Sequence, residues 1–222
     1  HPTPYPEPIS KDVYHDLFEY LGLNEDIVQN YFLARAKRCH KEDAAAFDSS
    51  TISSYSRYIK ETRQGFNKAG DGLDTVKFLT LFDLATHQPI AFARGPGNLA
   101  DVSGIENALK QFSFLNISKA QIVTDKGYYS QNNIGQMLRK HIKFLTAASI
   151  ELSWVNHHLQ KNKAGLETAS SLCPWDFNIH GITVPVDAEF TYQRQRNRGE
   201  EVKGDTLSET RRLYLHLYLN RE

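Results

Sequence analysis

Hydrophobic positions recur at helical spacing early in the chain and at strand spacing through much of the rest. Behind Ser10, whose side chain suits a helix cap, Asp12 falls in a first turn. Val13, Tyr14, Leu17, Phe18 and Leu21 then share one face up to Gly22. Asn24 is expected to cap a second helix, with Glu25 and Asp26 in its first turn and Ile27, Val28, Tyr31 and Phe32 on one side. The period then changes. Ala44 to Phe47 is a short apolar run that reads as a strand ending at Asp48, and a polar, glycine-rich connection follows. "VKFLTLFDL" and "PIAFARG", joined by "ATHQ", predict an antiparallel hairpin. Ile105, Ala108, Leu109 and Phe112 mark a helix behind a Gly-Pro-Gly break. "AQIVTD" reads as a buried strand, "SQNNIGQMLRKH" as a helix capped by Ser130, and "IKFLTAA" as another strand.

Strands that alternate with helices imply crossover connections and parallel pairing, whereas the hairpin is antiparallel, so the class is α/β with a mixed sheet. Beyond about Ile150 the style changes once more. A polar helical stretch containing "NHHLQKNK" precedes "ITVPVD", "AEFTYQRQRN" and "RRLYLHLYLN", whose alternation predicts an antiparallel β unit joined by "RGEEVKGD". Three parts result: a linker with N-terminal helices over 1–42, an α/β core over 43–150 and a β-rich part over 151–222. The opening "HPTPYPEP" has proline at every second position, which favours an extended polyproline-like linker. A start at His1 rather than Met, and an end directly after a strand-like segment, read as those of a fragment.

Composition narrows this picture only slightly. Hydrophobic residues make up 40% and charged residues 23%, the profile of an ordinary globular protein, and no apolar run approaches a membrane span. Cys39 and Cys173 lie in no Cys-x-x-Cys pair, which argues against structural zinc and suits a reducing cytoplasm. The 26 basic and 26 acidic side chains balance, so charge alone does not single out a nucleic-acid protein. Two local basic clusters remain: Arg35, Lys37, Arg38, His40 and Lys41, and then Arg194, Arg196 and Arg198. Solvated faces account for both.

The chemistry rests on two carboxylates. Asp48 and Asp125 each follow a short strand, and sites in open α/β sheets form outside the carboxyl ends of strands. Magnesium is typically held by one or two carboxylates, and a pair of ions can clamp both oxygens of an in-line phosphoryl displacement. Taken alone, "IVTDKGYYS" reads as a strand closed by a turn, with Asp125 bonded to its own backbone and Gly127 accepting positive φ. Asp83 is assigned to the hairpin and Asp101 to a helix amino terminus. The adjacent His157 and His158 do not share a helix face, which disfavours a common metal, and Trp154 and Trp175 read as packing residues.

"FDSSTIS", then "LFDLATHQPIAFARGPGNLAD", then "IVTDKGYYS" resembles in that order the core of the IS4-type DDE transposases, particularly the branch with a β-strand insertion. Asp48 matches the first catalytic aspartate of that family. Asp125 matches the second, with Gly127 and Tyr128 in its Asp-x-Gly-aromatic pattern, and Gly97, Asn98 and Asp101 resemble its "GN-x-x-D". The resemblance implies an RNase H-like fold with the first and fourth strands adjacent. It implies Mg²⁺ or Mn²⁺ held by Asp48 and Asp125, hydrolysis at transposon ends, and attack of the freed 3′-hydroxyl on target DNA. The implied partners are terminal inverted repeats, target DNA and a second copy in a synaptic dimer, with no membrane.

The family's third carboxylate lies in a helix with a Tyr-Arg-Glu-Lys pattern that this chain does not match. Tyr192, Arg196 and Glu200 come nearest, but their spacing is off and the stretch reads as a hairpin. The glutamate is therefore expected beyond Glu222, and the fragment alone is expected to be inactive or nearly so. Two other readings stay open: a non-catalytic DNA-binding remnant of a decayed element, and an unrelated metal-dependent phosphoesterase.

Overall fold

A computed structural model describes residues 9–38, 44–111, 121–193 and 206–221. Five strands form one sheet: β1 (Ala44–Ser53), β2 (Thr75–Asp83), β3 (Gln88–Pro96), β4 (Gln121–Thr124) and β5 (Lys143–Thr146), in the order β3-β2-β1-β4-β5. The mixed sheet carries helices and is preceded by two more, and a separate three-stranded antiparallel sheet follows it. The adjacency of the first and fourth strands agrees with expectation. The chain divides into two compact units, residues 1–99 with 107–121, and 100–106 with 122–222.

In the first unit, α1 (Lys11–Leu23) starts as expected, with the Ser10 hydroxyl accepting from Val13 N–H at 3.4 Å. Asn24 behaves differently from expectation. Its side-chain amide donates back to the Tyr20 carbonyl at 2.7 Å, so it satisfies an orphan group at the end of α1 rather than capping α2 (Glu25–Arg38). α2 packs on β3: Phe32 meets Phe92 edge-on at 5.1 Å, and the Arg35 guanidinium donates to the Pro89 carbonyl at 2.8 Å.

β1, β2 and β3 are antiparallel, with Asp48 opposite Thr80 and Leu79 opposite Ala93. β2 is the central strand of the three, and its Val76, Leu79 and Leu81 are buried. Asp83 stays in the hairpin as expected, accepting from Thr86 Oγ1 at 2.5 Å and from Ala85 N–H.

The connection from β1 to β2 is held from both ends. Ser54 N–H reaches the Asp74 carbonyl, and Arg63 and Thr75 exchange backbone hydrogen bonds at 3.0 and 2.9 Å. Within it Asp71 accepts from Leu73 N–H at 3.0 Å, and this bond, helped by the Ser53 and Asn67 side chains, holds its carboxyl below the ordinary 3.8. A depressed carboxyl stabilises the loop fully above its unfolded pKa and loses that contribution as pH falls through the lowered value. Asp71→Asn is therefore expected to remove an acid-labile component of loop order, measurable as earlier amide exchange at Leu73.

In the second unit, the start of α3 (Asp101–Gln111), β4, α4 (Gln131–Arg139), β5 and α5 (Ser153–Leu166) precede β6 (Leu172–Cys173), β7 (Asp176–Gln193) and β8 (Thr206–Asn220). Ser130 caps α4 as expected, accepting from Asn133 N–H at 3.0 Å. "ITVPVD" and "AEFTYQ" prove to be one strand, not two, because β8 pairs with β7 along its whole length. Pro185 is tolerated there because β6 pairs only with the segment from Asp176 to His180, leaving that stretch of β7 with an open edge among the described residues. α4 and α5 pack on this sheet, with Phe190 and Leu217 buried in it.

Candidate functional site

Asp48 is not at a strand terminus. β1 continues through Ser53, which pairs with Thr75, so Asp48 lies mid-strand and the carboxyl-end argument fails for it. The polar run Ser49–Ser53 is strand because nine residues of β2 supply its hydrogen-bonding partners. Burial alternates through Ala45 and Phe47, which fixes the register and leaves Asp48 exposed between the inward positions. Its Oδ1 accepts from the Ser49 backbone N–H at 2.7 Å.

Asp125 does stand at the carboxyl end of its strand, directly after Thr124. It caps a short 3-10 turn, Lys126–Tyr128, with Oδ1 accepting from Lys126 N–H at 2.6 Å. The bonding of Asp125 to its own backbone thus agrees with the sequence, but the reason given for Gly127 does not. Gly127 lacks a positive φ, and a Cβ built there would lie 3.8 Å from Asp101 Oδ2. That is an ordinary contact distance, so neither backbone nor packing demands glycine here, and Asp101 lies beside the turn that Asp125 caps. Asp101 itself opens α3, where a carboxylate complements the helix amino terminus as expected.

Asn133 was missed in the sequence. It is fully buried, and its side-chain amide donates to the Tyr128 carbonyl at 2.8 Å and the Val102 carbonyl at 2.6 Å. It ties the turn that carries Asp125 to the start of α3. The only signal available was the polar run of Gln131, Asn132 and Asn133 in the first turn after Ser130. Asn133→Ala would remove both bonds from a buried position, and a loss of about 2–3 kcal/mol is expected. Thermal denaturation of the variant checks this.

Tyr128 is buried and Tyr129 stacks on Trp154, with Trp154 Nε1 donating to the Tyr129 hydroxyl at 3.0 Å. Trp154 is therefore a packing residue as expected. Trp175 is not: it is exposed in the turn between β6 and β7. His157 and His158 stand edge to face, with ring centroids 5.5 Å apart. Cys39, His40, Lys41, Arg194, Arg196, Arg198 and Glu200 lie outside the described residues, as do the opening prolines and "RGEEVKGD".

Among the described residues, the one cluster of three metal-ligating side chains is His15, Asp16 and Glu19 on α1, all exposed. Neither Asp48 nor Asp125 belongs to such a cluster there. Their chemistry nevertheless fits a hard cation. Both are exposed carboxylates with one oxygen oriented by the next backbone N–H, and oxygen donors suit Mg²⁺ or Mn²⁺. No described helix is long and apolar enough to cross a membrane.

A mixed sheet in the order β3-β2-β1-β4-β5, carrying helices, is an RNase H-like arrangement; Asp48 lies on β1 and Asp125 directly follows β4. Residues 40–217 match the family described as transposase DDE domain, and the chain belongs to that family. No curated protein matches it. Among solved structures, it is similar to the Mos1 transposase paired-end complex with left transposon end. That match has 10% identity and a TM-score of 0.35 and covers 79% of this chain and 56% of the other. It is also similar to a chain of the simian T-cell lymphotropic virus intasome in complex with PP2A regulatory subunit B56 gamma, at 13% identity and a TM-score of 0.31, covering 59% and 45%. The chain spans about half the length of these two chains.

Proposed function

We propose that this chain is the catalytic-core portion of an IS4-type DDE transposase that cuts transposon ends and joins them to target DNA by metal-dependent phosphoryl transfer. Membership of the transposase DDE domain family supports the reading, and the observation that carries it is the strand order that sets β1, which holds Asp48, beside β4, which Asp125 directly follows. Residues 1–42 serve as linker and leading helices, 43–150 as the first part of the core, and 151–222 as the start of a β-rich insertion domain.

Asp48 and Asp125 hold Mg²⁺ or Mn²⁺, which offsets the negative charge that develops on the phosphate oxygens. The protein's own contribution is orientation. The N–H groups of Ser49 and Lys126 each fix one carboxylate oxygen, so little freedom remains to be lost when the carboxylates bind an ion. Asn133 holds the turn that presents Asp125. The complete protein binds terminal inverted repeats and target DNA as a synaptic dimer.

The test is strand cleavage by the complete protein on duplexes ending in the element's own terminal repeats, with Mg²⁺ or Mn²⁺ present or chelated. Metal-dependent nicks at the repeat boundary are expected. Salt-sensitive DNA binding without any nicking would identify a non-catalytic remnant instead. Turnover of small phosphate esters with no preference for repeat ends would identify an unrelated phosphoesterase.

A further inference from the structure

The connection between β1 and β2 forms an open groove of about 750 Å³, lined in part by Tyr55, Arg57, Tyr58, Lys60, Arg63 and Asp74. Tyr55 is 87% and Tyr58 95% exposed, more than any other large hydrophobic side chain among the described residues. An aromatic ring held in water on a structured loop forgoes burial that its size would otherwise reward. Three cations and one acid line the groove. Neither Arg57 nor Lys60 has an ion-pair partner among the described residues. Arg63 spends one guanidinium nitrogen on the carbonyls of Lys60 and Thr62, and its other N–H groups stay available.

The platform is also well fixed. Ser54 and Ser56 hydroxyls accept from the N–H groups of Ser56 and Tyr58, Thr62 N–H reaches the Ile59 carbonyl, and Arg63 bridges to Thr75 at the start of β2. Rings and cations alternate along residues 55–60 as tyrosine, arginine, tyrosine, lysine.

We propose that this groove binds an unpaired DNA strand, with bases stacked on Tyr55 and Tyr58 and phosphates held by Arg57, Lys60 and Arg63. Free ring faces next to cations match a single strand, whose bases offer exposed π-faces, whereas a duplex keeps those faces stacked inside. The inference deepens the transposase reading and rests on it for the identity of the nucleic acid. The loop follows directly from β1, the strand that carries Asp48, so it would gather a strand end on the same element.

The test is fluorescence anisotropy of the full chain with a labelled oligothymidylate and with a hairpin duplex of equal charge, across a salt series. Tyr55→Ala with Tyr58→Ala is expected to weaken oligothymidylate binding by about tenfold or more per ring, with much less effect on the duplex. Tyr55→Phe with Tyr58→Phe should keep the parent affinity, since stacking needs the ring and not the hydroxyl. Arg57→Ala with Lys60→Ala should lower the slope of log affinity against log salt by about 0.7 for each phosphate no longer neutralised. These side chains are exposed, so folding is not at stake, and circular dichroism verifies it.

Parent-like oligothymidylate binding by the double alanine variant would overturn the proposal, as would equal losses on both DNAs or no DNA binding by the parent chain. Strand cleavage by the complete protein is scored separately. Cleavage with no effect of the loop removes the groove alone, and groove binding without cleavage removes the catalytic reading alone.

Discussion

Asp125→Ala in the complete protein is expected to reduce metal-dependent strand cleavage by at least about a thousandfold while leaving DNA binding within about twofold. The magnitude follows from the several kcal/mol that a bound divalent ion supplies to phosphoryl chemistry, at about 1.4 kcal/mol per factor of ten. Loss of a ligand removes that contribution from the transition state. In the proposed groove, binding would instead rest on Tyr55, Arg57, Tyr58, Lys60 and Arg63, none of which is Asp125. The substitution is structurally mild, since Asp125 is exposed and gives up one bond to the adjacent Lys126 N–H. Asp48→Ala is expected to behave in the same way, with β1 preserved by its pairing to β2. Cleavage and binding measured on the same preparations check both, and full cleavage by either variant would remove that residue from the site.

The second large effect is on stability. Gly97→Ala is expected to cost about 3 kcal/mol, because overpacking against unyielding atoms falls at the upper end of the usual range. A Cβ on Gly97 would overlap the carbonyl oxygen of Thr75, and its Oγ1 and carbonyl carbon are also too near. Thr75 is buried and locked by its two backbone bonds to Arg63, and Gly97 N–H itself reaches the Glu61 carbonyl at 3.1 Å. Gly65 packs against Gly97 from another direction, where a Cβ would again fall within 3.0 Å of backbone. Neither the strand nor the loop can move aside without breaking hydrogen bonds. The melting temperature should fall by about 6–12 °C, given 2–4 °C per kcal/mol for a chain of this size. Gly22→Ala provides the control, because nothing lies within 4 Å of a Cβ there.

These two positions illustrate what could be read from the chain and what could not. Local signals were legible. Ser10 and Ser130 cap their helices through side-chain bonds to a backbone N–H three residues on, and the hairpin between Thr75 and Pro96 follows from two alternating runs around a short turn. Features that depend on distant partners were not. The polar stretch after Asp48 looks like loop until β2 is known to be long enough to pair with it. β7 reads as two runs that divide after Asp187 until β8 is seen alongside. Asn24 could have capped either neighbouring helix, and only the backward reach to Tyr20 distinguishes them.

The candidate site divides along the same line. Asp125 stood out at the end of a buried strand, and its bond to the following N–H was foreseeable from its turn. Its support was not. The two bonds from Asn133 to the Val102 and Tyr128 carbonyls join residues separated along the chain and leave no periodic trace in the sequence. Asp48 was legible only through the order of the three motifs, since its mid-strand location obeys no strand-end rule.

Iron-directed self-cleavage tests the central claim, that Asp48 and Asp125 hold the divalent ion, most directly. Fe²⁺ replaces Mg²⁺, ascorbate and peroxide generate hydroxyl radicals at the bound ion, and the backbone cuts are mapped by mass spectrometry. Cuts flanking both Asp48 and Asp125, lost together when either residue is alanine and suppressed by excess Mg²⁺, are the predicted result. Cuts confined to α1 around His15, Asp16 and Glu19, unchanged in both alanine variants, would contradict it.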